Sequence, residues 1–78
     1  MINLTKKAEM LVGDVAITKG DMIKISGARG KFMFMHHVTN SETGVDWVDC
    51  IEIMKGGDGP FRSFRPGRVR LMKGKKSG

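Results

Sequence analysis

Residues 20–38, GDMIKISGARGKFMFMHHV, carry the pattern on which the fold turns. Ile23 and Ile25 alternate with Lys24, the two-residue period of a strand with one buried and one wet face. Ser26-Gly27-Ala28-Arg29-Gly30 reads as a loop, and residues 31–38 read as the strongest strand of the chain. On that strand Phe32, Phe34, His36 and Val38 share one face, and Met33, Met35 and His37 share the other. Both faces begin apolar, which predicts a long, bent strand partly covered on each side.

Short strands continue in both directions. Gly13-Asp14-Val15-Ala16-Ile17-Thr18-Lys19 is echoed by Gly20-Asp21-Met22-Ile23-Lys24-Ile25-Ser26. Two copies make no solenoid, and the pair is expected to be two strands joined by a tight turn at Lys19-Gly20-Asp21. Asn40-Ser41-Glu42-Thr43-Gly44 is a hairpin loop with Gly44 at the position that needs a positive φ. Residues 45–53, VDWVDCIEI, form the partner strand, and the clash of parities around Asp49 predicts a bulge or a sharp bend. Residues 55–60 are a turn, 61–64 a short strand, 65–68 a one-turn break and 69–72 a last strand. Before all of these, Leu4, Ala8, Leu11 and Val12 fall at helical spacing, so residues 1–12 are expected to be a short helix or an arm. Five or six short strands with glycine turns indicate an all-β fold, a small antiparallel barrel over 13–72. Residues 73–78, KGKKSG, are expected to be a flexible, disordered basic tail.

The segment Gly20-Asp21-Met22-Ile23-Lys24-Ile25-Ser26-Gly27, then Gly30, resembles SH3-like barrels of the KOW and Tudor kind. The short strand 61–64, the turn at Pro66-Gly67 and the strand through Val69 and Leu71 extend the resemblance over about residues 20–72. Gly27 and Gly30 stand three apart where KOW motifs usually have four, and the apolar stretch from Phe32 to Met35 replaces the next KOW glycine, so the resemblance is to SH3-like barrels rather than to KOW motifs proper. The resemblance implies partners such as RNA, ribosomal components or polymerase for the KOW side, and methylated arginine or lysine for the Tudor side. A Tudor cage needs several convergent aromatics, and four Phe, one Trp and no Tyr do not furnish one. With its aromatic-Arg-Ser-Phe-x-x-x-Arg stretch from Phe61 to Arg68, the whole chain also resembles small uncharacterised proteins of actinobacterial phages, a resemblance that implies a cytoplasmic protein, in the host cytoplasm if phage-encoded.

Composition narrows the function. With 78 residues there is room for one small domain. No apolar run reaches the roughly 18 residues that span a membrane. The first residues, with Lys6 and Lys7 and no apolar stretch, do not read as a secretory leader. The single cysteine, Cys50, excludes an internal disulfide and fits a reducing cytoplasm. The net charge is +6, and its distribution is lopsided. Residues 1–58 hold seven basic and all eight acidic groups, whereas residues 59–78 hold seven basic groups and no acid. Such a block attracts polyanions.

Catalytic equipment is missing from the pattern. His36 and His37 are neighbours on a strand and face opposite ways, so they cannot share a metal. Adding Cys50 still leaves fewer ligands than structural zinc requires. Cys50 lies beside Asp49 and Glu52, which disfavour a thiolate. The glycine loops at 27–30 and 56–59 precede no helix, so they read as turns rather than phosphate loops. No cofactor motif is present, and the chain is expected not to be an enzyme. The candidates that remain are Arg62, Arg65, Arg68 and Arg70, with Arg29 and Lys31 from the first loop. Together they would bind phosphates, and an exposed Phe61 or Phe64 would stack a base. In the bland alternative these arginines pair with Asp46, Asp49 and Glu52. Two readings follow: a nucleic-acid binder (RNA or DNA) using a C-terminal basic edge, or a protein-interaction module that docks an acidic or strand-edge surface. Met33 and Met35, if exposed, would favour a homodimer.

Overall fold

The computed structural model describes residues 3–72, which contain eight strands and no α-helix. The expected tail at 73–78 lies outside the described residues. In chain order the strands are β1 (Leu4–Lys7), β2 (Glu9–Val12), β3 (Val15–Thr18), β4 (Met22–Ile25), β5 (Lys31–Asn40), β6 (Asp46–Met54), β7 (Gly57–Phe64) and β8 (Val69–Leu71). A single 3-10 turn, Pro66–Arg68, separates β7 from β8. The larger sheet follows the path β7-β6-β5-β4-β8, with β1 added on β5, and β2-β3 form a second, two-stranded sheet. All pairs are antiparallel.

The all-β reading stands, with three corrections. Where a short helix or an arm is expected over residues 1–12, the described residues form two paired strands: β1 runs along the second half of β5, and β2 turns at Gly13-Asp14 to pair with β3. Helical spacing of four apolar residues is outweighed because each strand finds a hydrogen-bonding partner, and β-structure depends on such context. Second, β3 and β4 do not form a hairpin. The turn between them is tight, with the Asp21 N–H donating to the Thr18 carbonyl at 2.9 Å, yet it docks on β5 through Gly20 N–H to Phe34 O and Phe34 N–H to Asp21 O, both 2.8 Å. The chain therefore crosses between sheets at this point. Third, the larger sheet does not close into a barrel, since its end strands β7 and β8 are not neighbours. The strand expected at 61–64 is the last part of the longer β7, whose two-residue connection at Lys55-Gly56 replaces the longer turn.

β5 and β6 organise the rest. Their loop is built as the spacing predicts: Asn40 Oδ1 accepts from the Glu42 N–H at 2.9 Å, and Gly44 has φ +76°, where a side chain would be strained. The predicted bend comes from β5 rather than β6. Phe34 pairs with Cys50 and His36 with Asp49, leaving Met35 as an extra residue. A bulge of this kind bends and twists its strand, so the face carrying Phe32 and Phe34 wraps over the core. That core is Ile17, Ile23, Ile25, Phe32, Phe34, Val48, Cys50, Phe64 and Val69. Every strand from β3 to β8 contributes to it. Phe32 and Phe64 meet edge to face, with centroids 5.3 Å apart at 79°, the geometry aromatic pairs prefer. Burying each large side chain of this kind contributes about 1.5–3 kcal/mol.

Candidate functional site

The four C-terminal arginines do not form one row, because β7, the 3-10 turn and β8 aim them differently. Arg62, on β7, donates to Glu52 Oε1 on β6 at 3.1 Å. Its guanidinium also sits 5.6 Å from the centre of the Phe64 ring. Arg65 is exposed at the end of β7. Arg68, in the 3-10 turn, donates from Nε to the Ser26 carbonyl at 2.9 Å, while the Ser26 N–H donates to the Arg68 carbonyl at 2.8 Å. Its guanidinium covers the Phe64 ring at 5.0 Å, a cation–π contact. Arg70, on β8, donates from Nη1 to the carbonyls of Gly67 at 2.6 Å and Val69 at 3.0 Å.

The acids of β6 are committed. Asp46 pairs with His37 Nε2 at 2.8 Å. Asp49 accepts from the Ser63 hydroxyl at 2.8 Å, and Glu52 takes Arg62. The bland pairing of arginines with this strand is thus realised by Arg62. Among the described residues Arg65, Arg68 and Arg70 form no ion pair within 4.0 Å.

Phe64 is a correction. At 8% exposure it belongs to the core and offers no free face for a base. Phe61, with its neighbour-but-two parity on β7, is 58% exposed. It stands beside Ile51, which stands beside Met33, so the outer face of β5-β6-β7 carries an apolar row ending in an open aromatic ring. Met33 and Met35 are half-buried.

Of the first-loop cations, Arg29 and Lys31 are both exposed, but only Arg29 lines the hollow between the loop and β8. That hollow, about 450 Å³, is bordered by Lys24, Ile25, Ser26, Ala28, Arg29, Gly30 and Arg70. Lys24 was not among the sequence candidates. Its place on the wet face of β4, beside the Arg29 loop, was the available signal; its pairing with Arg70 depends on a contact 46 residues away in the chain. A second hollow of about 330 Å³ holds Arg65 and Arg68 together with Trp47, Asp46, Ser63, Phe64 and Val45. Arg68 stands between the two, its Nη2 directly over Gly27.

Cys50 is buried, its thiol pointing to the Arg62 carbonyl at 3.7 Å. Burial first, then the Asp49 charge, push it up to about 11, against the opposing pull of Arg62. Such a thiol is a poor nucleophile. Among the described residues no three His, Cys, Asp or Glu side chains converge as a metal site, and no helix is long and apolar enough to cross a membrane.

An open antiparallel β-fold with a one-turn break before its last strand and, among the described residues, arginines without ion pairs in two separate hollows is the class these observations define. The model of DUF7246, described as a domain of unknown function, matches residues 2–77, and the chain belongs to that family. No curated protein and no solved structure matches it.

Proposed function

We propose that the protein is a non-enzymatic nucleic-acid-binding module with an SH3-like strand path. The path β8-β4-β5-β6-β7, with a single 3-10 turn before a last strand that returns to β4, supports the SH3-like assignment. One observation carries the functional reading. Asp46, Asp49 and Glu52 are engaged by His37, Ser63 and Arg62, which among the described residues leaves Arg65, Arg68 and Arg70 without a carboxylate. Unpaired arginines retain donors in the planar fork that fits phosphate. Phe61 is the exposed ring on which a base would stack.

The test is fluorescence anisotropy with labelled single-stranded RNA, single-stranded DNA and duplex DNA over a range of salt. Three phosphate contacts predict a log–log salt slope of about −2 for a single strand. Arg65→Gln weakens binding and flattens the slope, whereas Arg62→Gln has a smaller effect because Glu52 already holds that side chain. Absence of binding to all three probes at low salt would remove this reading. A protein-interaction module is the second reading, and it has its own observation: a hollow of about 680 Å³ lined by Met10, Leu11, Ala16, Lys7, His37 and Pro66, with Leu11 65% exposed. An interface with an apolar centre would show a much weaker salt dependence.

A further inference from the structure

Lys24 and Arg70 face each other directly across β4 and β8. Both are exposed on the outer side, since Ile23, Ile25 and Val69 point into the core. Like charges placed opposite on an antiparallel pair destabilise it. The same hollow takes a third cation, Arg29, from the loop, and its lining includes no acid. Three cations thus converge from three separate segments on one concave surface. An anion seated among these three cations would offset their mutual repulsion.

The hollow is also shaped before any ligand arrives. Arg70 is aimed by its two bonds from Nη1 to Gly67 and Val69, which leave Nε and Nη2 to donate elsewhere. The loop that carries Arg29 is fixed at its start by the reciprocal Ser26–Arg68 bonds and by the Ala28 N–H donating to Ile25 O at 3.0 Å. Arg68 therefore braces the loop wall through Nε and its backbone, and it lines the other hollow, with Arg65, rather than this one.

We infer that the Lys24–Arg29–Arg70 hollow is a phosphate-binding site, and that it seats a backbone phosphodiester of the nucleic acid. The second clause rests on the function proposed above. The first stands on the geometry of the hollow. Arg70 supplies a planar fork, Lys24 a point charge from the neighbouring strand, and Arg29 closes the third side. Of the arginines without a carboxylate, Arg70 on the β4-β8 pair thereby becomes the anchoring point, and the 3-10 turn becomes its scaffold.

The full chain is titrated with inorganic phosphate at constant ionic strength, then with a short single-stranded oligonucleotide, following backbone amide signals. The same titrations are run on Lys24→Gln, on Arg70→Gln and on the double variant. In the wild type, phosphate shifts the signals of residues 24, 28–30 and 70 and raises the Tm; in the double variant both responses vanish. Lys24→Gln by itself melts no lower than wild type, because it removes repulsion. Each substitution lowers the magnitude of the oligonucleotide salt slope by about 0.7. If the oligonucleotide binds wild type and double variant alike, the hollow is not the anchor, and the nucleic-acid reading survives without it. Should phosphate bind in the hollow while no oligonucleotide binds, the site stands and the nucleic-acid reading falls. Loss of neither response in the double variant, or no response to phosphate in the wild type, overturns the inference. Amide spectra that keep the wild-type dispersion show that the variants are folded.

Discussion

Phe64→Leu separates the structural role of this ring from a ligand-stacking role. Leucine keeps an apolar side chain in the core and loses the ring's three directed contacts. The edge-to-face pair with Phe32, 5.3 Å between centroids, contributes about 0.5–1.5 kcal/mol beyond its burial. The guanidinium groups of Arg62 and Arg68, at 5.6 and 5.0 Å, add about 0.5 kcal/mol each at such solvent-facing positions. The expected destabilisation is therefore about 2 kcal/mol. For a domain of this size that lowers Tm by about 8–16 °C, a large share of a total stability of roughly 4–12 kcal/mol. Thermal unfolding by circular dichroism measures the shift, and anisotropy below the transition measures binding. Binding is expected to stay within about twofold of wild type, since the ring does not face solvent and a factor of two is under 0.5 kcal/mol. An unchanged Tm together with lost oligonucleotide binding would refute the reasoning and return Phe64 to the ligand face.

Gly59→Ala places a Cβ against Met54 Cγ and 2.8 Å from the Glu52 carbonyl; crowding against backbone of this kind costs about 1–3 kcal/mol, read as a lower midpoint in urea. Cys50 is expected to resist iodoacetamide in the folded protein at pH 8, where a thiol pushed up to about 11 is ionised in about one molecule in a thousand, and to react once urea unfolds the chain. Because burial raises this thiol above its unfolded value, its contribution to stability is complete below about pH 8.5 and declines as pH rises towards 11; unfolding midpoints across that window, compared with Cys50→Ala, give the slope.

Much of the secondary structure was legible because it is written in local patterns. Alternation at Ile23-Lys24-Ile25, the apolar run from Phe32, the Asn40–Gly44 loop with its positive-φ glycine, and the Pro66-Gly67 break each depend on a few adjacent residues. The segment 4–12 read as a short helix or an arm, not as strands, for the same reason. Its four apolar residues fit a helical face, and nothing local announces that β5 and β3 offer free hydrogen-bonding edges. Of the site, the charge imbalance was legible by counting. Its division was not: Arg62 is neutralised by Glu52 and Arg68 serves as a strut, facts that depend on which strands lie side by side.

Residue order alone determined an all-β chain, a near-neutral body and a strongly basic end, since strand periodicity and charge are properties of neighbours along the chain. The tertiary structure decided that the larger sheet stays open, that Phe64 is core while Phe61 is exposed, and that Lys24 joins Arg29 and Arg70 around one hollow. Each of these is a matter of register between strands distant in sequence. A shift of one residue in that register would turn every side chain of a strand to the opposite face.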